Sequence, residues 1–142
     1  MKRKKVWRFY CEFCKKAGCS GGHIKRHEER CTMNPNRVCG MCKMTDNEQI
    51  DIKDMLAILP DPTEYIIKDD FLVSFNVAFD KIVDDALSKL RELTGNCPAC
   101  ILSALRQKGI PVPCAQNFHF KAECDNVWAD INEANNNQYG YY

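Results

Sequence analysis

No stretch of the 142 residues approaches the ~18 consecutive apolar residues that a membrane-spanning helix requires. The basic start, Met1–Lys5, resembles the first region of a signal peptide, but Val6 and Trp7 run into Arg8 instead of an apolar core. The chain also lacks a nucleophile elbow, a phosphate-binding loop and a His-Glu-x-x-His pair. We therefore expect an intracellular protein, in the cytoplasm or nucleoid or in the nucleus of a eukaryote. We expect no enzyme activity, no membrane partner and no small-molecule substrate.

Cysteine is abundant, with ten residues in the chain. In an intracellular protein, paired cysteines indicate metal binding before they indicate disulfide bonds. The Cys-x-x-Cys pair recurs three times, at Cys11/Cys14, Cys39/Cys42 and Cys97/Cys100.

The net charge of +1 conceals a strong polarity along the chain. Residues 1–43 carry twelve Lys or Arg against three Asp or Glu, whereas residues 44–96 carry five against twelve and residues 97–142 three against four. A basic first third indicates a polyanionic partner, usually nucleic acid. The alternative is that it contacts an acidic protein surface, including the acidic middle of its own chain.

The local patterns predict mostly helices after a short N-terminal hairpin. We expect a strand or hairpin at 6–20, a helix at 21–31 and a turn-rich connector at 32–36. The Thr45–Glu48 capping box predicts a helix that starts near Thr45 and ends at Pro60. A further helix over Pro98–Lys108 is expected to end at Gly109.

The longest predicted helix carries a continuous apolar stripe and ends at Gly95. The stripe is formed by Leu72, Phe75, Phe79, Ile82, Ala86, Leu90 and Leu93. We expect it to pack in the core, with a partner-facing coiled-coil seam as the alternative. Residues 110–124 are expected to be extended or irregular. A short helix is expected from Asp125, followed by a mobile tail over 135–142.

The first candidate metal site is Cys11-x2-Cys14-x12-His27-x3-Cys31. A tetrahedral zinc ion takes four sulfur or nitrogen ligands at ~2.0–2.3 Å. A tight turn can supply the first two, and a helix can supply the others because residues four apart share one face. The alternative is that these cysteines are reduced thiols of the core.

Residues 7–31 resemble the CCHC variant of the classical CCHH zinc finger. The family carries an aromatic residue two before its first cysteine, here Phe9, and an apolar residue three before its histidine, here Ile24. The resemblance implies a hairpin and a helix folded around zinc. The chain departs from the family at Gly18, where a large apolar residue is usual, and at Gly21 and Gly22, which weaken the helix start.

If the helix enters a major groove as in that family, the resemblance implies base contacts from Ser20, His23 and Arg26, with Arg26 facing guanine. The surrounding basic residues would contact phosphates: Lys2, Arg3, Lys4, Lys5, Arg8, Lys15, Lys16, Lys25 and Arg30. One finger covers about three base pairs, so we expect salt-sensitive contact with little sequence preference. DNA is the favoured nucleic acid, and variant fingers also bind proteins.

Cys39, Cys42, Cys97 and Cys100 predict a second zinc site. The first pair resembles a zinc knuckle, and the second lies at a predicted helix start, where backbone N–H groups stabilise thiolates. Knuckle plus helix start resembles a treble-clef site, with 43–96 as an insert whose closure costs little entropy when its ends meet. The alternatives are a thioredoxin-like redox pair at Cys97 and Cys100, and iron in place of zinc.

The remaining candidates for metal binding are Cys19, Cys114, His119 and Cys124. Buried free thiols are expected for these cysteines, since free cysteine packs as a small hydrophobe, and a third metal is the alternative. We expect His119 to be an ordinary strand histidine.

The sequence therefore predicts an α-rich small α+β protein with two zinc ions. A basic arm and CCHC finger would occupy residues 1–36. A four-cysteine zinc domain would occupy 37–142, with a helical insert at about 45–95 and a C-terminal helix and tail. We expect regulatory or architectural contact with nucleic acid. The alternative is a zinc-stapled structural or adaptor subunit that binds protein through its long helix or tail. The pattern also resembles small cysteine-rich phage proteins.

Overall fold

A computed structural model describes residues 1–138 and shows an α+β fold in which helices predominate, as predicted. In chain order its elements are β1 (Phe9–Tyr10), β2 (Ala17–Gly18), α1 (Gly21–Arg30), α2 (Gly40–Met44), α3 (Ile52–Ile58), β3 (Ile66–Lys68), β4 (Val73–Phe75), α4 (Val77–Thr94), α5 (Pro98–Lys108) and α6 (Phe120–Gln138). Among these residues, none of the helices has the length and apolar character needed to cross a membrane.

The first hairpin and helix form where the sequence predicts them. β1 and β2 pair antiparallel, and α1 follows directly. The Ser20 hydroxyl caps α1 by accepting a hydrogen bond from the His23 backbone N–H at 3.3 Å. Ile24 is the buried residue of α1 and packs with Cys11 and Cys31 in a small core of its own.

The predicted helix start at Thr45 is wrong. Thr45 instead ends the short helix α2, with its hydroxyl donating to the Met41 carbonyl at 2.9 Å. Asp46 then adopts a φ of 54°, which a continuing helix does not allow. α3 begins only after Asp51, whose carboxylate accepts a backbone N–H two residues later at 3.0 Å. Asp51 therefore caps α3 in place of the predicted Thr45–Glu48 capping box.

The longest apolar stripe does not form one helix. Residues 66–75 form the antiparallel hairpin β3–β4, and α4 begins only after Asn76. Leu72 lies in the hairpin turn with 73% of its surface exposed, so its place in the predicted stripe is wrong. Phe75 ends β4 and stacks on Phe79 with ring centroids 4.9 Å apart. A strand residue thus covers the start of the helix that it was expected to belong to.

The main core is built around α5, which begins and ends as predicted. Seven of its eleven residues are buried, and α3, α4 and α6 all contact it. Gly109 ends the helix with a φ of 80°, a conformation that glycine adopts without strain. α4 packs against it through the buried residues Phe79, Val83, Ala86, Leu87 and Leu90, whereas Ile82 and Leu93 of the predicted stripe are half-buried.

The C-terminal helix is longer than predicted. α6 begins at Phe120, so Asp125 lies inside it, and His119 precedes a helix where a strand was expected. The Glu123 carboxylate accepts the His119 N–H at 2.9 Å and forms an ion pair with Arg91 of α4, which anchors the start of α6. Residues 135–138 continue α6, and the rest of the predicted tail, 139–142, lies outside the described residues.

Candidate metal centres

The first candidate metal centre brings together Cys11, Cys14, His27 and Cys31, whose ligand atoms all lie within 4.8 Å of one another. The turn between β1 and β2 carries the first two residues, while α1 and its C-terminal cap supply the others. Cys14 Sγ lies 3.1 Å from His27 Nε2. Two ligand atoms bound to one tetrahedral zinc ion lie ~3.5–3.8 Å apart. The four side chains therefore fit one four-coordinate ion if their ligand atoms move slightly apart.

Protonation in the first centre is compatible with metal binding. A hydrogen bond of 3.4 Å from the Lys16 N–H lowers the pKa of Cys14 below its ordinary value. Burial lowers the pKa of His27, which favours the neutral imidazole that binds metal. Burial also raises the pKa of Cys31 to about 11, so a cation that binds there must displace a proton.

The second candidate centre brings together Cys39, Cys42, Cys97 and Cys100, all of them buried, with every Sγ within 4.8 Å of the others. The Cys39 and Cys97 sulfurs are 3.6 Å apart, and the Cys42 and Cys100 sulfurs are 3.5 Å apart. A disulfide would require a sulfur–sulfur distance of ~2.05 Å, whereas two thiolates bound to one tetrahedral zinc ion lie ~3.8 Å apart. The spacing therefore fits a metal and excludes disulfides between these pairs.

Electrostatics in the second centre divide the thiols into two groups. Hydrogen bonds from Cys100 and Cys97 hold the pKa of Cys39 far below its ordinary value. Burial raises the pKa of Cys42 to about 12, and the pKa of Cys100 is raised strongly because its proton is shared with Cys39. The Cys42 and Cys100 thiols would therefore release their protons when a cation binds.

Both cysteine pairs of the second centre lie at helix starts. Cys39 caps α2, where the Cys42 N–H donates to its sulfur at 3.4 Å, and Cys97 caps α5. The predicted knuckle at the first pair is thus the start of a short helix. Gly95 and Asn96, with φ of 61° and 60°, make the turn from α4 into α5 that brings Cys97 to the site.

Two polar residues beside the second centre were not predicted. The Arg37 Nη1 lies 3.8 Å from Cys100 Sγ. The Gln49 carboxamide accepts the Cys39 N–H at 2.7 Å and donates to the Arg37 carbonyl at 2.7 Å. No sequence spacing singles out these residues, because their contacts depend on how the loop after α2 folds back over the cysteines.

The leftover cysteines lie apart from both centres. Cys19 is exposed at the end of the first hairpin, so its predicted burial is wrong, and Cys114 and Cys124 are half-buried. Burial raises the pKa of both half-buried thiols. Within residues 1–138, Cys114, Cys124 and His119 do not converge into a third group of metal ligands.

All twelve side chains predicted to contact nucleic acid are exposed. Part of the set lines a cleft of about 400 Å³ on the outer face of α1, formed by Lys16, His23, Arg26, His27, Glu29 and Arg30. The other predicted contacts lie outside this cleft: in the arm before β1 (Lys2, Arg3, Lys4, Lys5 and Arg8), in the turn after it (Lys15), at the cap of α1 (Ser20) and within α1 (Lys25).

Comparisons with known proteins identify no relative. No protein-family model matches the chain, and neither a curated protein nor a solved structure matches it.

Proposed function

We propose that the chain binds two zinc ions, one in each centre, and that both are structural. Four protein ligands complete a tetrahedral zinc ion, whereas a catalytic zinc keeps one position open. This supports a non-catalytic role. Elemental analysis distinguishes zinc from iron at the four-cysteine centre, and a thiolate-bound ferric ion would also absorb visible light, which d¹⁰ zinc does not.

Each proposed zinc site supports one of the two resemblances described for the sequence. The hairpin and helix around the first centre support a CCHC finger in residues 7–31. The helix start at Cys97 supports a treble-clef-like second site, although α2 replaces the expected knuckle at Cys39. The division into a finger at 1–36 and a second domain at 37–142 stays a prediction.

The proposed function of the protein is intracellular, regulatory or architectural contact with nucleic acid through its N-terminal finger. The observation that carries it is the cleft on α1, in which three cations, Lys16, Arg26 and Arg30, stand against one carboxylate, Glu29. Such a cluster of cations attracts the phosphates of nucleic acid. Contacts to phosphates contribute affinity but no sequence preference. The arm before β1 adds five further cations, Lys2, Arg3, Lys4, Lys5 and Arg8, to this N-terminal region.

Binding should be measured with the metal-loaded chain and labelled random-sequence nucleic acid over a series of salt concentrations. The double variant Lys16→Gln/Arg26→Gln is expected to weaken binding and to reduce the slope of log affinity against log salt by about two. The matched control is Lys81→Gln/Lys89→Gln, which removes two exposed cations from the acidic α4. No binding to any nucleic acid, or an equal loss in the control, would contradict the proposal.

A second candidate function, as a protein adaptor, is favoured by the β3–β4 hairpin. Phe71 and Leu72 in its turn and Val73 at the start of β4 are 95%, 73% and 70% exposed, and Val77 at the start of α4 is 91% exposed. Large exposed apolar side chains concentrated in one segment are typical of a protein-binding site. A dimer or complex that Phe71→Ser/Leu72→Ser abolishes would support this candidate. A chain that stays monomeric and forms no crosslink from position 71 would count against it.

A further inference from the structure

An exposed aromatic run lies inside the basic N-terminal segment. Trp7 and Tyr10 are 86% and 66% exposed, and Phe9 and Phe13 are also exposed in part. Of these, Phe9 has a packing role: its ring lies against Gly21, where an added Cβ would come within 3.3 Å of it. The rings of Trp7 and Tyr10 are left largely open to solvent.

The same segment carries seven cations within sixteen residues: Lys2, Arg3, Lys4, Lys5, Arg8, Lys15 and Lys16. Within residues 1–138, none of them forms an ion pair with a carboxylate. Positive charges that track a phosphate backbone, combined with aromatic rings between them, are the two components of sites that bind single-stranded nucleic acid.

The start of α1 is poorly equipped to read a duplex. The Ser20 hydroxyl is occupied as the helix cap, and the next two residues, Gly21 and Gly22, have no side chains. Of the expected base-reading positions, only His23 and Arg26 are left with open polar groups. In a duplex the faces of the bases are stacked on one another, so exposed aromatic rings gain little there.

We propose that residues 1–16 bind unpaired nucleotides, with bases stacked on Trp7 and Tyr10 and phosphates held by the surrounding lysines and arginines. This inference rests on the proposed nucleic-acid function and narrows it to single strands. Two rings accommodate about two bases, one stacked on each ring. The shared chemistry is an unpaired base beside a phosphate, which single-stranded DNA and RNA both offer.

The test compares four probes of one mixed sequence, single-stranded and duplex DNA and single-stranded and duplex RNA, with the full metal-loaded chain. The variant Trp7→Ala/Tyr10→Ala is expected to lose at least tenfold in affinity for single strands, with duplex affinity changed less than twofold. Its salt slope should equal that of the wild type, because no cation is removed. Comparison of the DNA and RNA arms shows which strand is preferred.

The control variant is Trp128→Ala, which removes the other tryptophan of the chain, 44% exposed on α6. In a Trp128→Phe background the fluorescence of Trp7 should be quenched by single strands, and in a Trp7→Phe background that quenching should vanish. Circular dichroism and metal content show whether each variant is folded.

Stronger duplex than single-strand binding, or unchanged single-strand affinity in Trp7→Ala/Tyr10→Ala, would overturn this inference and leave the proposed function standing. No binding to any probe would overturn both.

Discussion

The Arg37 guanidinium connects the two candidate metal centres: its Nη1 lies 3.8 Å from Cys100 Sγ, and its Nε donates to the Arg30 carbonyl at 3.5 Å. Arg30 is the last residue of α1 and directly precedes the ligand Cys31. Four thiolates around Zn²⁺ carry two negative charges, and the C-terminal end of a helix is also negative. One cation with little exposed surface therefore faces negative groups of both centres.

Replacement of this cation should weaken the second centre first. Arg37→Met keeps an unbranched apolar stem and removes the charge and the hydrogen-bond donors of the guanidinium. We expect a 10–100-fold loss of metal affinity at the four-cysteine centre, the range found for residues that support metal ligands, and a loss of ~1–3 kcal/mol in the free energy of unfolding. Metal transfer to a chromogenic chelator and urea denaturation measure the two effects. Arg26→Met, an exposed change on α1, is the control, and equal metal release from wild type and Arg37→Met would refute the connection.

Loss of one ligand should remove one metal ion and much of the fold. Native mass spectrometry of the wild type is expected to show two ions per chain, and Cys100→Ser to show one. Because zinc binding contributes ~10–16 kcal/mol in small zinc peptides, chelation of both ions should also abolish most of the helical signal. Cys114→Ser, at a half-buried cysteine outside both centres, should keep two ions. Two ions in Cys100→Ser would contradict the assigned ligand set.

Metal affinity should fall steeply as the pH falls. In the metal-free chain the pKa of Cys42 is raised to about 12 and that of Cys100 is raised further, so both thiols are protonated at pH 7 and lose protons on metal binding. Release of at least two protons predicts a loss of about a hundredfold in affinity at the second centre for each pH unit below neutrality. Stability that depends on the metal is therefore present at neutral pH and lost on acidification. Chelator competition between pH 6 and pH 8 measures the slope, and an affinity independent of pH would contradict the thiolate ligands.

The connector between the two centres should resist proteolysis. The Ser103 hydroxyl, fully buried on α5, donates to the Thr32 carbonyl at 2.7 Å, and the Gln107 carboxamide donates to the Thr32 and Asn34 carbonyls at 2.9 and 3.1 Å. Trypsin is therefore expected to cut after Lys5 in the exposed arm long before it cuts after Arg37.

Loss of one of these bonds should expose the connector. Ser103→Ala removes the hydrogen bond to the Thr32 carbonyl and the one that the Ser103 hydroxyl accepts from Gln107 at 3.0 Å, while Gln107 keeps its two carbonyl partners. A net loss of ~1 kcal/mol is expected to accelerate the later cleavage about fivefold. Ser88→Ala on the exposed face of α4 serves as the control. Immediate cleavage after Arg37 in the wild type would show instead that residues 1–36 are independent of the rest.

The sequence correctly predicted elements whose first and last residues are marked by local signals. α5 has a proline in its first turn and a glycine after its last, and its bounds are as expected. Local spacing likewise marked the ligands of both centres, because Cys-x-x-Cys pairs and residues four apart on a helix, such as His27 and Cys31, bring their side chains close together. Predictions failed where a local pattern did not decide the structure: α3 begins after the Asp51 cap instead of at Thr45, and Leu72 lies in the turn of the β3–β4 hairpin instead of in a helix.

The sequence by itself determined the helical class, the charge polarity and the eight candidate ligands, since these depend on residue type and on local spacing, as in each Cys-x-x-Cys pair. The meeting of the Cys39/Cys42 and Cys97/Cys100 pairs, which are separated by 58 residues, depends on the packing of α2 against α5. Only the tertiary structure decided what surrounds those ligands. Arg37 reaches Cys100 across 63 residues, and Thr32 reaches Ser103 across 71. Contacts over such separations depend on how whole helices pack in the core. That packing is a collective outcome of buried surface and shape, and no short motif encodes it.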